Sequence, residues 1–451
     1  MTGCLAQYSY FIESKGEALI IDPIYEQDVY LNLLKTRKSK LKYILETHFH
    51  ADFVSGHFPL AKQTKAMIVF GPNENSTLNI YKAQDKEYLP LGNINIELLH
   101  TPGHTLESSC FLLRDSKGTP HSLFTGDTLF LSEVGRPDLA CNAEIKPSDL
   151  ATMLYQSIQY HIEPLPDNVI LYPGHGAGSP CGKSIGKGDH STIGEQRKTN
   201  FALDPKIQLE EFIGLATTDL PKPLAYMPHD VAANKGEKSF ASEKEIMQKF
   251  KKNYAQFKEL IDNNPEAFLL DTREQIANGI VKGATHISFN STLSIFVGTL
   301  VRPDQKILLV CENDEITKQT ITRLLRIGYD NILGYLQGGI STWIKSKGVM
   351  TPMKIVQSED FKKLLEEKNN VFTILDIRNN HEWDAGHLEN AKHVQLRDLK
   401  EKLLNRELDE LKDKQIYVHC RGGPRGTNLC ALQRRTTWIS WTINSSSKRI
   451  Q

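Results

Sequence analysis

The stretch Thr47-His48-Phe49-His50-Ala51-Asp52-Phe53 places two histidines and a carboxylate directly after the β-like run Tyr43-Ile44-Leu45. Three later segments also set a histidine or an aspartate beside a glycine, in the order Thr101-Pro102-Gly103-His104-Thr105, Thr125-Gly126-Asp127-Thr128-Leu129 and Tyr172-Pro173-Gly174-His175-Gly176. Loops held by a rigid sheet are the usual positions for the ligands of a preorganised metal site. The pattern therefore predicts a metal centre at the strand ends of an α/β scaffold.

Together the four segments resemble the metal-binding motifs of the metallo-β-lactamase superfamily, in the same order and at ordinary spacing. In the two-metal hydrolases of that superfamily, a histidine follows the aspartate of the first motif and binds the second ion. Phe53 occupies that position here, and a phenyl ring cannot ligate a metal. The resemblance implies an αββα sandwich with one metal ion, and it favours a reaction other than two-zinc hydrolysis.

Bulk composition limits the classes of protein. A chain of 451 residues is too long for one ordinary core and predicts two to four domains. Lys plus Arg and Asp plus Glu both number 54, so no net field favours nucleic acid or a membrane surface. Apolar runs fall short of the ~20 residues that a membrane span needs. The seven cysteines are odd in number and scattered, which favours a reducing, cytoplasmic location.

The chain repeats itself after about residue 253. Phe268-Leu269-Leu270-Asp271-Thr272-Arg273-Glu274 is similar to Thr373-Ile374-Leu375-Asp376-Ile377-Arg378-Asn379, and Ile307-Leu308-Leu309-Val310-Cys311 is similar to Gln415-Ile416-Tyr417-Val418-His419-Cys420. Two tandem copies of one small α/β domain explain the pattern, and these residues resemble the rhodanese homology domain. We therefore expect a metallo-β-lactamase-like domain with a helical linker at 1–250, a first rhodanese-like domain at 251–350 and a second at 351–451.

The two copies differ at the cysteine loop. The second has Cys420-Arg421-Gly422-Gly423-Pro424-Arg425, and rhodanese loops of this kind point backbone amides at a thiolate, as helix starts do at phosphate. The resemblance implies that Cys420 is a sulfur-transfer nucleophile, with Arg421 and Arg425 binding the anionic substrate. Cys311-Glu312-Asn313-Asp314-Glu315 has neither glycine nor arginine, and its carboxylates should raise the thiol pKa. The first copy is therefore predicted to be inactive.

The C-terminal end departs from the rhodanese pattern. Residues 427–451 lack the pattern of an apolar helix followed by a Gly-Gly-x-x-x-Trp motif, which residues 317–343 show. We expect the last domain to be truncated or frameshifted after about residue 424. The sequence begins at Met1-Thr2-Gly3-Cys4, close to the first strand, and we expect a short leading segment to be missing.

As a whole the chain resembles the fused persulfide dioxygenase–pseudo-rhodanese–rhodanese proteins of bacterial sulfide detoxification. Two histidines and one carboxylate suit non-haem ferrous iron. The resemblance implies one Fe(II) per subunit, with His48, His104 and Asp127 as ligands, and His50, Asp52 and His175 beside them to orient ligands or take up protons. It also implies a thiol persulfide substrate (of glutathione, coenzyme A or similar), dioxygen as co-substrate, sulfite as product and thiosulfate from the last domain.

Cys181 is a further candidate catalytic residue. Ser179-Pro180-Cys181-Gly182-Lys183 follows the His175 loop, and Lys183 could lower the thiol pKa so that Cys181 relays sulfur. Similar loops occur in the fused dioxygenases. The alternative interpretation is a small apolar residue in a tight loop.

Two other functions stay open from the sequence. One is a zinc-dependent thioester hydrolase of the glyoxalase II type on the same scaffold. The other is a non-catalytic sulfur-binding scaffold or sensor, in which the rhodanese copies serve as docking modules. An inactive domain in the middle of the chain favours self-association, so a homo-oligomer is expected.

Overall fold

The structure is a computed structural model, and it describes residues 5–73, 76, 79–220, 222–238, 241–274, 276, 279–290, 292–352, 354–366, 372–411, 414–420 and 439–444. These residues form two compact units. The first comprises Met1–Phe240 and Leu325–Gly328, and the second comprises Ala241–Leu324 and Tyr329–Gln451.

The first unit alternates short strands and helices. Its strands are β1 (Tyr10–Ser14), β2 (Glu17–Ile21), β3 (Lys40–Leu45), β4 (Met67–Phe70), β5 (Tyr81–Lys82), β6 (Tyr88–Leu91), β7 (Ile94–His100), β8 (Ser109–Arg114), β9 (Pro120–Gly126), β10 (Leu129–Phe130), β11 (Glu133–Val134), β12 (Ile170–Pro173) and β13 (Ser191–Thr192). Its helices are α1 (Asp28–Arg37), α2 (His57–Thr64), α3 (Pro147–Ser157), α4 (Ile193–Thr199), α5 (Leu209–Thr217) and α6 (Met227–Asn234). A π-helical turn at Ile158–Ile162 continues α3.

Two sheets of the first unit pack face to face. Their strand orders are β1-β2-β3-β4-β5 and β13-β12-β9-β8-β7-β6. Alternate residues of both sheets, such as Leu45 and Leu98, share one buried core between them. Helices α1 and α2 cover the outer face of the first sheet through Tyr30 and Leu60. Helices α3 and α5 cover the second, which completes the predicted αββα sandwich.

The second unit contains two small α/β domains. The first has α7 (Glu243–Lys249), β14 (Lys251–Lys252), α8 (Tyr254–Asn263), β15 (Phe268–Asp271), β16 (Ile280–Val281), β17 (Thr285–His286), α9 (Leu293–Leu300), β18 (Ile307–Val310), α10 (Asp314–Arg326), β19 (Ile332–Leu336), α11 (Gly339–Lys345) and β20 (Met350–Thr351). The second has β21 (Lys354–Gln357), α12 (Ser358–Glu366), β22 (Thr373–Asp376), α13 (Asn380–Asp384), β23 (Lys392–His393), α14 (Leu396–Leu404), β24 (Gln415–His419) and β25 (Ile439–Asn444).

The two sheets of this unit have the same order. The first runs β14-β19-β18-β15-β17 and the second β21-β25-β24-β22-β23, with every pair parallel. Even single pairings repeat, because Asp271 faces His286 in the first sheet and Asp376 faces His393 in the second. Central strands such as β15 and β18 are buried along their whole length, as strands covered on both faces must be. The sequence repeat is therefore a structural repeat.

The atypical C-terminal end is described in part. Residues 421–438 and 445–451, on which most of the frameshift prediction depends, lie outside the described residues. Strand β25 is described, and it lies between β21 and β24 in the second rhodanese-like sheet. None of the helices described is both long and apolar enough to cross a membrane.

Candidate metal centre

The four sequence motifs lie at strand ends, as predicted. His48 follows β3, His104 follows β7, Asp127 follows β9 and His175 follows β12. Strands β9 and β12 are parallel neighbours, so their C-terminal ends deliver Asp127 and His175 to one point. The resulting cluster is buried, with each of these four side chains at most 2% exposed.

His48, His104 and Asp127 form a compact set of possible ligands. One donor atom from each lies within 4.8 Å of the others. Asp127 Oδ2 is 3.5 Å from His104 Nε2 and 4.0 Å from His48 Nε2. Two imidazoles and one carboxylate in this arrangement can bind one face of a metal ion and leave other coordination positions open.

Hydrogen bonds fix the ring orientation of both His48 and His104. His48 Nδ1 lies 2.9 Å from Thr47 Oγ1, and His104 Nδ1 lies 2.9 Å from the carbonyl oxygen of Arg136. Because Nδ1 is engaged on each ring, Nε2 is the atom left to face Asp127. Partners of this kind orient histidine ligands at metal sites and tune their basicity.

The residues fit a cation. Both carboxylate oxygens of Asp127 are buried and have no hydrogen-bond partner, an arrangement that is costly unless a positive charge is bound. Burial, followed by the neighbouring His50, His104 and His175, holds the pKa of His48 well below its usual range. A neutral imidazole is the form that ligates metals.

Asp52 and His175 lie on the other side of Asp127. His175 Nε2 is 3.4 Å from Asp52 Oδ2 and 3.5 Å from Asp127 Oδ1. The ring of Phe53 lies 4.2 Å from that of His50 and is 1% exposed. A hydrocarbon side chain thus occupies a buried position next to His50, directly after Asp52 in the chain.

His50 is directed towards carboxylates outside the ligand set. Its Nε2 lies 3.1 Å from Asp22 Oδ1 and 3.5 Å from Glu46 Oε2. Burial alone would lower the pKa of His50, but Asp22, Glu46 and Asp52 raise it to about 9. A protonated imidazole cannot ligate a metal, and the role of His50 beside the ligands stays a prediction.

The sequence did not reveal Asp22, Glu46 and Thr47 as parts of the site. Asp22 accepts hydrogen bonds from the backbone N–H and the hydroxyl of Thr47, 2.8 and 2.9 Å long. A signal was present, since Asp22 ends the apolar strand β2 in the way that the recognised residues end theirs. The residues that Asp22 contacts lie in another loop, and no local sequence pattern predicts those contacts.

Cys181 belongs to the cluster, but the predicted effect of Lys183 is wrong. Asp127, His175 and Cys181 have donor atoms within 4.8 Å of one another. Lys183 Nζ instead donates to the carbonyl oxygens of Leu215 and Thr218. Burial, with the charges of Asp52 and Asp127, raises the pKa of the Cys181 thiol well above its usual range.

The two rhodanese cysteines occupy equivalent positions. Cys311 follows β18 and Cys420 follows β24, and both are 1% exposed. The pKa of Cys311 is raised as predicted, but the main cause is burial, and Asp271 contributes rather than the carboxylates of the loop. Arg421 and Arg425 lie outside the described residues.

Comparison with known proteins agrees with this architecture. Residues 2–79 match the family model of the metallo-beta-lactamase superfamily, and residues 253–346 and 357–443 match that of the rhodanese-like domain. The crystal structure of a metallo-beta-lactamase from Staphylococcus aureus subsp. aureus COL is 29% identical, covers 75% of this chain and 97% of its own, and has a TM-score of 0.65.

Two curated proteins are similar over part of the chain. A probable hydroxyacylglutathione hydrolase of Schizosaccharomyces pombe is 36% identical over 38% of this chain, which spans 65% of that protein. The probable polyketide biosynthesis zinc-dependent hydrolase PksB of Bacillus subtilis is 30% identical over 40% of this chain and 76% of that protein. The chain belongs to the metallo-beta-lactamase superfamily, with two rhodanese-like domains after its first domain.

Proposed function

We propose that this protein is a persulfide dioxygenase with one ferrous ion, coupled to sulfur transfer at Cys420. The substrate is a low-molecular-weight thiol persulfide such as that of glutathione or coenzyme A. Its outer sulfur is oxidised by one dioxygen, and one water releases sulfite, the thiol and two protons.

The observation that carries the proposal is the donor set. His48, His104 and Asp127 lie close enough to bind one ion through Nε2 and carboxylate oxygens. His50 also lies within 4.8 Å of Asp52 and His175, but its Nε2 is paired with Asp22, and Phe53 supplies no donor. Two histidines and one carboxylate with open positions are typical of non-haem ferrous oxygenases. Di-zinc hydrolysis would need a fuller set of ligands at both positions.

The chain's own residues hold the ion, exclude bulk water and accept protons. A bound ferrous ion would supply open positions for sulfur and dioxygen and the electrons that couple them. The burial of the three ligands excludes bulk water from the reacting atoms. Asp52 and His175, 3.4 Å apart, are placed to accept protons that the water step releases.

Sulfur transfer at Cys420 would use the sulfite. In that step sulfite attacks the outer sulfur of a Cys420 persulfide, the sulfur–sulfur bond breaks, and the Cys420 thiolate leaves as thiosulfate forms. A second persulfide molecule recharges the thiolate and leaves as thiol. Fusion of both activities in one chain raises the effective concentration of the second partner.

The test is metal analysis of anaerobically purified full-length protein, with oxygen uptake measured on glutathione persulfide and on coenzyme A persulfide. We expect one iron per chain, uptake of one dioxygen per sulfite formed, and loss of both in Asp127→Ala. Asp115→Ala, at a partly exposed carboxylate, is the matched control and should retain both. Two zinc ions per chain, with no oxygen uptake, would overturn the proposal.

A zinc-dependent thioester hydrolase is the second candidate, and the names of the curated relatives favour it. The same preparations distinguish the two. A hydrolase would release glutathione from S-D-lactoylglutathione without oxygen and would depend on zinc, whereas the dioxygenase should leave that thioester intact.

A further inference from the structure

Helix α6 presents polar side chains to the interior of the first unit. Tyr226, Asp230 and Asn234 are four residues apart, so they lie on one face of the helix, and they are 0%, 0% and 2% exposed. A buried polar group costs free energy unless it is hydrogen-bonded. The partners of this face therefore indicate what the helix is for.

The partners of Tyr226 and Asn234 are backbone atoms of the metal-binding loop, residues 46–56, whereas Asp230 Oδ1 lies 3.4 Å from His229 Nδ1. Asn234 Nδ2 donates to the carbonyl oxygens of His50 and Phe53, each at 2.8 Å, and Asn234 Oδ1 accepts from the N–H of Ser55, also at 2.8 Å. The Tyr226 hydroxyl donates to the carbonyl oxygen of Asp52 at 3.3 Å. Both amide protons and the amide oxygen of Asn234 thus bind backbone atoms within residues 50–55 of this loop.

This loop needs an external partner because it has no regular structure. Residues 46–56 form neither helix nor strand, so no ladder satisfies their carbonyl groups. The side chains that it carries must nevertheless point in different directions. His48 faces Asp127, His50 faces Asp22 and Asp52 faces His175, with a distance of 4.0 Å or less in each pair.

We propose that Asn234 is a positioning residue for the metal site. Its side chain binds the backbone atoms of His50, Phe53 and Ser55, and it acts by fixing the course of residues 50–55. That course keeps His50 turned to Asp22 and Phe53 beside it, so the ion keeps its two-histidine, one-carboxylate set. The inference does not depend on which reaction the site catalyses, and it assigns a role to a helix that begins at Met227, far beyond the segment 2–79 that matches the superfamily model.

The sharpest variant is Asn234→Asp. It is nearly isosteric and can still accept from Ser55 N–H, but it loses both donors and sets a carboxylate oxygen against two carbonyl oxygens. Asn200→Asp is the matched control. Asn200 is 3% exposed, its Nδ2 donates to the carbonyl oxygens of Phe130 and Glu133 at 3.1 Å, and its Oδ1 accepts from Ala202 N–H.

The readout is the full-length protein loaded with Co(II), by chelator competition and by its visible ligand-field spectrum. We expect Asn234→Asp to weaken Co(II) binding by about 10- to 100-fold and to shift the spectrum, as loss of supporting contacts does at metal sites. Asn200→Asp should lower the melting temperature similarly and leave affinity and spectrum as in the wild type.

A second variant covers the case in which Asn234→Asp does not fold. Tyr226→Phe removes only the hydroxyl that reaches Asp52, and it should shift the Co(II) spectrum in the same direction with a loss of affinity below about tenfold. Unchanged spectra in both variants of this face would overturn the inference, as would an equal change in Asn200→Asp. Failure of the dioxygenase reaction itself would leave these spectra unaffected.

Discussion

The Asp22 carboxylate pairs with His50, the second histidine of the metal-binding loop, with 3.1 Å between Asp22 Oδ1 and His50 Nε2. The other oxygen, Oδ2, accepts from the hydroxyl of Thr47, which in turn lies 2.9 Å from Nδ1 of His48. One buried carboxylate thus influences both histidines of the loop. Through Thr47 it orients the ring of His48, and it places a negative charge next to His50.

Removing that charge should change which metal the site prefers. In Asp22→Asn, the pKa of His50 should fall from about 9, because burial lowers it and Asp22 is the largest influence that raises it. A neutral His50 can then act as a third imidazole ligand. We expect the ratio of zinc to iron in the purified protein to rise by about tenfold, a typical scale for the loss of a supporting contact.

The measurement is metal content after growth with equal zinc and iron. The control is Asp115→Asn, where a partly exposed carboxylate accepts hydrogen bonds from the N–H groups of Lys117 and Thr119. A wild-type ratio of zinc to iron in Asp22→Asn would show that the charge on Asp22 does not determine which side chains bind the metal.

Position 53 should control the number of ions bound. In Phe53→His, an imidazole would join Asp52 and His175, which are 3.4 Å apart and border Asp127. Zinc stoichiometry should rise from one to two per chain, because nitrogen and carboxylate donors suffice for a second zinc. Phe53→Leu changes the same buried position without adding a donor and should stay at one. A single zinc in Phe53→His would show that Phe53 is not what limits occupancy.

The sequence predicted much of this architecture because its signals are local. Apolar runs that end in histidine or aspartate placed His48, His104, Asp127 and His175 at strand ends, and the internal repeat predicted two similar domains. The shared strand order of the two rhodanese-like sheets confirms the repeat.

The contacts that orient these residues were not predictable, because they join distant parts of the chain. Asn234 lies 184 residues from His50 and 181 from Phe53. Lys183 was misjudged for the same reason. Its proximity to Cys181 in sequence suggested an effect on the thiol, but its ammonium group reaches Leu215 and Thr218 in space.

Acid should weaken the second unit through Asp376. Burial would raise the pKa of this carboxyl, but hydrogen bonds from His419 and Arg378 hold it well below its usual range. The unfolded value is about 3.9, so the folded pKa is the lower one. Asp376 therefore stabilises the fold above about pH 4, and this contribution is lost as the pH falls from there towards the folded pKa.

Tryptophan fluorescence can follow this unit selectively, because all four tryptophans lie after residue 342. We expect Asp376→Asn to lower the free energy of unfolding near neutral pH, and its difference from wild type to shrink about one pH unit below the unfolded pKa. Asp360→Asn, at an exposed carboxylate paired with Lys363, should show no such difference. A difference in the free energy of unfolding between Asp376→Asn and wild type that does not change with pH would contradict a stabilising role for the Asp376 carboxylate.

The equivalence of Cys311 and Cys420 gives a test of sulfur transfer within one molecule. Each cysteine follows the central strand of its parallel sheet, β18 or β24, and each is 1% exposed. They differ in the loop that follows, which has glycine and arginine after Cys420 and carboxylates after Cys311. Amides and cations stabilise a thiolate and its persulfide, whereas carboxylates repel sulfite.

With glutathione persulfide as substrate, Cys420→Ser should therefore reduce thiosulfate to the uncatalysed background and let sulfite accumulate, with oxygen uptake unchanged. Cys311→Ser makes the same one-atom change at the equivalent position and should leave the ratio of thiosulfate to sulfite as in the wild type. An unchanged ratio in Cys420→Ser would mean that thiosulfate does not form through this thiol, and a fall in Cys311→Ser alone would assign the transfer to the domain predicted to be inactive.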